Sequence, residues 1–237
     1  MSVSPILRGQ LFPHIGPMKT CRIRGCIQPV SGFSFFCEAH KRRNRRHGHP
    51  SQIAVTAREL ESFRKRVRAR IEKNRDNPTW SMLCTRWEAL IEIAKAEEAT
   101  YLTGVAHNRY EREAWFNVVK IGTSANAMEV IEVALAMYLL QEENHHRFQS
   151  DNAFGGQLVR RVRALAPTNV GSYYDNKARK VKSVYRDAKP KTNVILARIL
   201  QDTFGVAGVT VAHLERYELA QLRNEKQALY DALGGLI

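Results

Sequence analysis

Three of the four cysteines in this chain of 237 residues lie close together near the N-terminal end, and a histidine follows the third one. Their spacing is Cys21-x4-Cys26-x10-Cys37-x2-His40. Thiolates and imidazoles are ligands that zinc prefers, and structural zinc sites use four of them in a tetrahedron. The pattern therefore predicts one structural Zn²⁺ ion bound by Cys21, Cys26, Cys37 and His40.

The second ligand pair is predicted to begin a short helix. Cys37 and His40 are three residues apart, so their side chains share one face of a helix. We expect that helix to extend to about His47. His47 or His49 could replace His40 as the fourth ligand, although neither shares a turn with Cys37.

Two features around this segment support a small folded module. Gly48 suits a left-handed cap at the end of the helix, and Pro50 prevents its extension. Between the ligand pairs, Phe33, Phe35 and Phe36 are expected to form a minimal core beside the metal.

The segment from Cys37 to Pro50 reads CEAHKRRNRRHGHP. It resembles the short Cys/His segment with an Arg-Arg-x-Gly-x-Pro tail that occurs in many phage and mobile-element proteins, including the N-terminal part of some HNH homing endonucleases. The resemblance covers about 30 of the 237 residues and implies a zinc-stabilised module that contacts DNA. The chain has no HNH catalytic segment downstream, so nuclease activity does not carry over.

The net charge of +14 is unevenly distributed. Residues 1–75 hold 17 Lys and Arg against 4 Asp and Glu, residues 76–150 hold 6 against 11, and residues 151–237 hold 14 against 8. Two basic segments around an acidic one indicate a polyanion-binding surface on a neutral scaffold. The plainer alternative is a basic surface that only contacts solvent.

The cations expected to contact nucleic acid fall into three groups, on the zinc helix, on the next helix and on a predicted helix over residues 173–188. On the zinc helix they form two columns with a spacing of four residues. The basic segments lack the broad apolar face of a membrane-surface helix, so nucleic acid, and DNA rather than RNA, is the expected partner. The full set is Lys41, Arg42, Arg43, Arg45, Arg46, Arg64, Arg68, Lys177, Arg179, Lys180 and Lys182. Tyr173 and Tyr174 could stack on bases or anchor their helix to the core.

Hydrophobic periodicity predicts an all-α fold with a small N-terminal zinc knuckle or finger. A capping box at Thr56-x-x-Glu59 begins the first body helix. The pattern then predicts helices over about 80–101, 108–121 and 157–166, with Gly122 ending the second of these. Another helix, capped by Ser124, is predicted between 121 and 157, and its apolar stripe is Met128, Ile131, Leu135 and Tyr138. Two last helices, 192–203 and 210–233, are expected around a turn at Gly205–Gly208.

These elements suggest four regions along the chain. They are a flexible leader over 1–17, the zinc module with its basic helix over 18–52, a helical domain over 53–150, and basic helices with a C-terminal helical hairpin over 151–237. Leu219, Leu222, Leu229 and Leu233 share a heptad stripe, which indicates either intramolecular packing or a dimer contact. A homo-oligomer or a protein partner could therefore use the helical body.

The sequence contains no apolar run of about 20 residues and no secretory signal, and its cysteines do not form a disulfide pattern. A reducing, cytoplasmic setting is expected. Nothing in the sequence supports an enzyme. The hypothesis is a non-catalytic, zinc-dependent DNA-binding accessory protein of a phage or mobile element, acting in regulation, replication or recombination. The alternative is a structural or assembly protein (a virion, scaffold or host-factor-binding component) whose basic arms contact nucleic acid or an acidic partner.

Overall fold

A computed structural model describes residues 19–106, 108–167, 169–185 and 187–234. The predicted leader over 1–17 lies outside these residues. Within them, the order of elements is α1 Glu38–His47, α2 Ala57–Lys73, α3 Pro78–Leu102, α4 Arg109–Ser124, α5 Ala127–Glu143, a 3₁₀ helix His145–Arg147, α6 Asp151–Arg163, β1 Asn169–Asp175, β2 Lys180–Tyr185 and α7 Pro190–Gly234. The fold is all-α with a small N-terminal Cys/His module, as predicted.

The core is built around α5. Its residues from Val130 to Leu140 are all buried, because α2, α3, α6 and α7 pack around it. The continuous apolar stretch therefore encodes a helix buried on every side rather than an amphipathic one. The hydrophobic core extends along the chain from Val55 to Ala212, and no described residue of the Cys/His module belongs to it.

Local capping signals set several helix starts. The predicted capping box at Thr56 and Glu59 begins α2. The start of α5 was predicted less well, because Asn126 caps it and Ser124 is the last residue of α4. Gly122 does not end α4. It lies inside the helix, where an added Cβ would collide with the side chain of Ile91.

One long helix replaces the two that were predicted at the C-terminal end. Gly205 and Gly208 lie inside α7, and an added Cβ at Gly208 would overlap the ring of Tyr138 on α5. The predicted turn is wrong because these glycines permit close helix packing. Burial of Tyr138 raises its pKa to about 12.

The apolar part of α7 also has the length and composition of a membrane span, with a mean hydropathy of 1.5 over 18 residues. Of that window, 33% is buried within the protein. Core helices of globular proteins have the same composition, so this observation favours neither environment.

The predicted helix over 173–188 is wrong. Residues 169–185 form an antiparallel hairpin of β1 and β2, in which Tyr174 pairs with Val181 and Asp175 pairs with Lys180. The Asp175 carboxylate accepts hydrogen bonds from the backbone N–H groups of Lys177 and Ala178, which shapes the turn. The valines and tyrosines on both sides of this turn are strand formers, and they outweigh the helical spacing of the lysines.

Candidate metal centre and basic surface

Backbone hydrogen bonds shape the Cys/His module before any metal is considered. Cys26 N–H donates to the carbonyl of Ile23, which closes a turn in which Gly25 has a φ of +80°. Cys21 N–H donates to the carbonyl of Gln28, and Thr20 forms a bridge with Pro29. Together these contacts fold the segment of the first ligand pair into a compact loop that faces the start of α1.

The four predicted ligands meet at one point. Their donor atoms lie within 4.8 Å of one another. His40 Nδ1 is 3.4 Å from Cys21 Sγ and 3.2 Å from Cys37 Sγ, and Cys26 Sγ is 3.9 Å from Cys37 Sγ. A sulfur–sulfur distance of 3.9 Å excludes a disulfide, in which the bond is about 2.05 Å.

These distances match a four-coordinate metal ion. With bonds of about 2.3 Å to sulfur and about 2.0–2.1 Å to nitrogen, tetrahedral angles place sulfurs roughly 3.8 Å apart and sulfur and nitrogen roughly 3.5 Å apart. Cys21 and Cys37 are buried, whereas Cys26 and His40 are half-buried. The cluster could therefore hold a metal ion without leaving an open coordination position.

The surroundings of Cys21 and Cys26 shift the pKa values of their thiols in opposite directions. Burial acts to raise the pKa of Cys21, but hydrogen bonds from the backbone of Cys37 and Ile23 and from the His40 ring lower it to about 6. At Cys26 a backbone hydrogen bond from Gln28 lowers the pKa, but burial and the neighbouring thiols outweigh it and raise the pKa overall.

The alternative ligand His47 points elsewhere. Its Nδ1 lies 3.1 Å from the side-chain nitrogen of Gln157, a fully buried residue of α6. Gln157 also accepts a hydrogen bond from Val55 N–H at 2.8 Å. Burial first, and then the charge of Arg160, lower the pKa of His47. Thus His47 joins the end of α1 to the helical body in its neutral form.

Gly48 makes this docking sterically feasible. It has a φ of +77° and caps α1 as predicted, with its N–H donating to the carbonyl of Asn44. An added Cβ at this position would overlap the backbone carbonyl of Asn152 on α6. Just after it, the buried Gln52 donates to the carbonyl of Arg147. The segment that follows α1 is therefore packed along the body.

The cations of α1 divide into paired and unpaired groups. Arg42, Arg43 and Arg45 are exposed, and none of them forms an ion pair with a described residue. Lys41 pairs with Glu38 at 3.6 Å. Arg46 donates from Nε to Asp187 at 2.6 Å.

The predicted cations of residues 177–182 lie on the hairpin. Lys177, Arg179 and Lys180 are exposed around its turn, where Arg179 has a φ of +45°. No acidic side chain in the described parts of the chain pairs with these three. Lys182 forms an ion pair with Asp175. The hairpin therefore ends in a cationic tip.

Asp187 brings these two basic elements together. It lies two residues after β2, and its second carboxylate oxygen accepts a hydrogen bond from Arg160 of α6 at 2.9 Å. The base of the hairpin is thereby held beside the C-terminal end of α1. Tyr173 and Tyr174, expected on a helix, lie on opposite faces of β1 and are about half exposed. Their role in base stacking stays a prediction.

Arg64 and Arg68 lie apart from this surface, on α2. Both donate to the buried carboxylate of Glu132 on α5, at 2.5 Å and 2.8 Å. Neighbouring arginines of α2 pair with Glu215 on α7. Glu132 of the acidic middle segment thus pairs with two arginines of α2 within the fold. That Arg64 and Arg68 also contact nucleic acid remains a prediction.

The expected aromatic core of the metal module is wrong. Phe33 is fully exposed, and Phe35 is exposed apart from the guanidinium of Arg22, which lies 4.0 Å from its ring centroid. Phe36 alone of the three is half-buried. The sequence also did not indicate Asp187 and Gln157, because nothing in their local sequence identifies partners that are distant along the chain.

No family model matches this chain, and neither a curated protein nor a solved structure matches it. The interpretation of the site therefore rests on its residues and their geometry.

Proposed function

We propose that the protein is a zinc-dependent nucleic-acid-binding accessory protein, with DNA as the preferred partner. The observation that carries the proposal is the junction at Asp187, which holds the arginine-rich α1 beside the base of the cationic hairpin. The resemblance of residues 37–50 to phage and mobile-element proteins suggests a role in regulation, replication or recombination.

Zinc is the metal that best suits the Cys/His cluster. Three sulfurs and one imidazole nitrogen are soft or borderline ligands, and they fill a tetrahedron without leaving a position for water or substrate. The ion would therefore be structural, and it would supply a rigid base for α1. Cys26→Ser should lower the bound zinc from one equivalent to less than half, as measured by elemental analysis.

The shape of the basic surface suits a duplex. The major groove of DNA admits either an α-helix or a two-stranded β-ribbon, and this surface offers one of each. Arg42, Arg43 and Arg45 are available to phosphates or to guanine edges because they have no carboxylate partner among the described residues. Arg46, which is paired with Asp187, is better suited to positioning α1.

The decisive experiment is a salt series. Each lost phosphate contact lowers the magnitude of the slope of log K against log salt by about 0.9. Changing Arg42, Arg43 and Arg45 together to Ala should therefore lower it by up to about 2.7. Binding to duplex DNA and to duplex RNA would be measured by fluorescence anisotropy, with the zinc content checked for each protein.

A matched control removes the same charge from another surface. Arg58, Lys65 and Lys73 are exposed on α2 and form no ion pair with a described residue. Changing these three to Ala should leave the slope close to that of the unmodified protein. An equal loss in both triple variants would mean that overall charge, and not the surface of α1, determines binding.

The alternative, an assembly protein, is favoured if no nucleic acid binds. A zinc-loaded protein that binds neither DNA nor RNA at low salt would contradict the proposal. The basic surface would then be assigned to an acidic protein partner.

A further inference from the structure

The C-terminal part of α7 extends beyond the rest of the protein. Every residue from Ala220 to Leu233 is exposed. At about 1.5 Å per residue, this segment projects about 21 Å. The same helix is packed firmly against α5 and α6 in its first half, where Leu196, Leu200 and Phe204 are buried.

A stripe of leucines follows one side of this projection. Leu222 is 53% exposed, Leu229 60% and Leu233 52%. With the half-buried Leu219 and with Lys226 they recur at steps of three and four residues, which is the spacing of a coiled-coil seam. No described residue of the chain covers the stripe beyond Leu219. We infer that the stripe is an interface with a second copy of this chain, formed by two α7 helices packed antiparallel.

The body of the protein excludes a parallel arrangement. Followed backwards in the same steps, the stripe reaches Glu215, which binds Arg66 and Arg70 of α2, and Gly208, which packs against Tyr138 of α5. Toward the N-terminal end of α7, the side of the helix that continues the stripe is therefore covered by α2 and α5. A parallel α7 helix of the second copy would collide with α2 and α5. An antiparallel one extends away from them.

The side chains select one antiparallel register. With Leu222 opposite Leu233 of the second copy, Lys226 lies opposite Leu229 of the second copy, and all four layers contain leucine. Arg223 then flanks Tyr230 of the second copy, which permits a cation–π contact. A register shifted by one heptad would place Arg223 opposite Arg223 of the second copy and Glu225 opposite Glu225 of the second copy. These like charges would repel each other.

A membrane is a poorer occupant for this segment. Between Ala220 and Leu233 the helix carries Arg223, Glu225, Lys226 and Asp231. All but Asp231 lie on or beside the stripe. Charged residues at the centre of a membrane helix are strongly disfavoured, but at coiled-coil flanks they are normal.

The test is sedimentation velocity of the full, zinc-loaded protein over a concentration series. Because only four layers overlap, the expected dimer is weak, with a dissociation constant of roughly 10–100 μM. The double variant Leu222→Glu and Leu229→Glu should raise this constant at least about tenfold, since it places charge in the seam. Circular dichroism would check the fold, which should survive because both leucines are exposed.

The matched control is Ala220→Glu with Ala228→Glu, which adds the same charge on the outward face of the same helix. It should dimerise like the unmodified protein. Lys226→Leu should strengthen the dimer and lower its dissociation constant about tenfold.

Small-angle X-ray scattering of the concentrated protein distinguishes the orientations. An antiparallel dimer is elongated, with the two bodies at opposite ends of the paired helices. A protein that stays monomeric throughout the series, or a dimer that the outward-face control disrupts equally, would overturn the interface. A compact dimer with adjoining bodies would overturn the antiparallel arrangement.

Discussion

Gly48→Ala should detach α1 from the helical body without removing the metal. Two effects oppose an alanine at this position. Gly48 has a φ of +77°, which is left-handed. That conformation costs an L-residue about 1–2 kcal/mol. In addition, the new Cβ would overlap the backbone of Asn152. Overpacking of this kind costs about 1–3 kcal/mol.

The two polar contacts at the end of α1 itself contribute less than this combined cost. Gln157 and His47 share one hydrogen bond. A bond of this type contributes about 0.5–1.5 kcal/mol. The ion pair of Arg46 with Asp187 is largely exposed on the arginine side. Such a pair contributes about 0–1 kcal/mol. The strain of roughly 2–5 kcal/mol in total should therefore exceed the docking free energy.

The pKa of His47, measured by NMR titration, reports this detachment directly. In the unmodified protein it lies below the ordinary value of 6.5, because the ring is partly buried beside Arg160. In Gly48→Ala the ring becomes solvated, and its pKa should return toward 6.5. Zinc content should stay at one equivalent, and DNA affinity should fall because α1 and the hairpin are no longer held together.

Gly32→Ala is the matched control. Gly32 also has a positive φ, of +65°, but an added Cβ there meets nothing within 4 Å. This variant carries the backbone strain without the clash, so the pKa of His47 should remain low. The reasoning is refuted if Gly48→Ala leaves the pKa of His47 as low as in the unmodified protein.

Three further predictions concern the body and the metal. An added Cβ at Gly208 overlaps the ring of Tyr138. Gly208→Ala should therefore destabilise the fold by about 1–3 kcal/mol in chemical denaturation. At Gly205 an added Cβ meets only Tyr138, with its hydroxyl at 3.2 Å. Gly205→Ala should be close to neutral, since alanine favours a helix by about 1 kcal/mol. Equal losses of stability in the two variants would contradict the close packing of Gly208 on Tyr138. Removal of the metal with a chelator should leave the main thermal transition in place, because the Cys/His module lies outside the core; loss of cooperative unfolding would contradict it. Glu59→Gln keeps the capping box but loses the charge that faces Arg147. It should cost about 1 kcal/mol at neutral pH. The hydrogen bond from Arg147 lowers the pKa of Glu59 below its ordinary value of 4.5. The contribution of Glu59 is therefore full above that ordinary value and is lost as the pH falls through the folded-state pKa. The stability difference between the two proteins should shrink on acidification, and a constant difference would contradict the assignment.

Features encoded by neighbouring residues were predictable from the sequence. The two members of each predicted ligand pair lie close together because they are neighbours along the chain, Cys21 with Cys26 and Cys37 with His40. The capping box of Thr56 and Glu59 and the left-handed cap at Gly48 are also local, and both occur as predicted. The helical period identified an all-α protein for the same reason, since periodicity reports which face of a segment is buried.

Glycines were ambiguous because one residue type serves two purposes. At Gly48 the chain needs a positive φ, and the prediction of a helix end was correct. At Gly122 and Gly208 the glycine lies within a helix and lets a neighbouring side chain approach. Only the position of Ile91 or Tyr138 distinguishes these cases, and that position belongs to another helix.

The charged residues were decided by tertiary structure. By sequence, the arginines of α1 and α2 look alike. In the fold, Glu132 and Glu215 pair with four arginines of α2, whereas Asp187 pairs with one arginine of α1 and leaves the other three without an ion pair to a described residue. A charge interacts over distance with whatever the fold places beside it, so its partner cannot be found from its sequence neighbours. The sequence alone therefore determined the four residues of the Cys/His cluster and the helical class, and the packing of distant helices decided which cations form ion pairs within the protein.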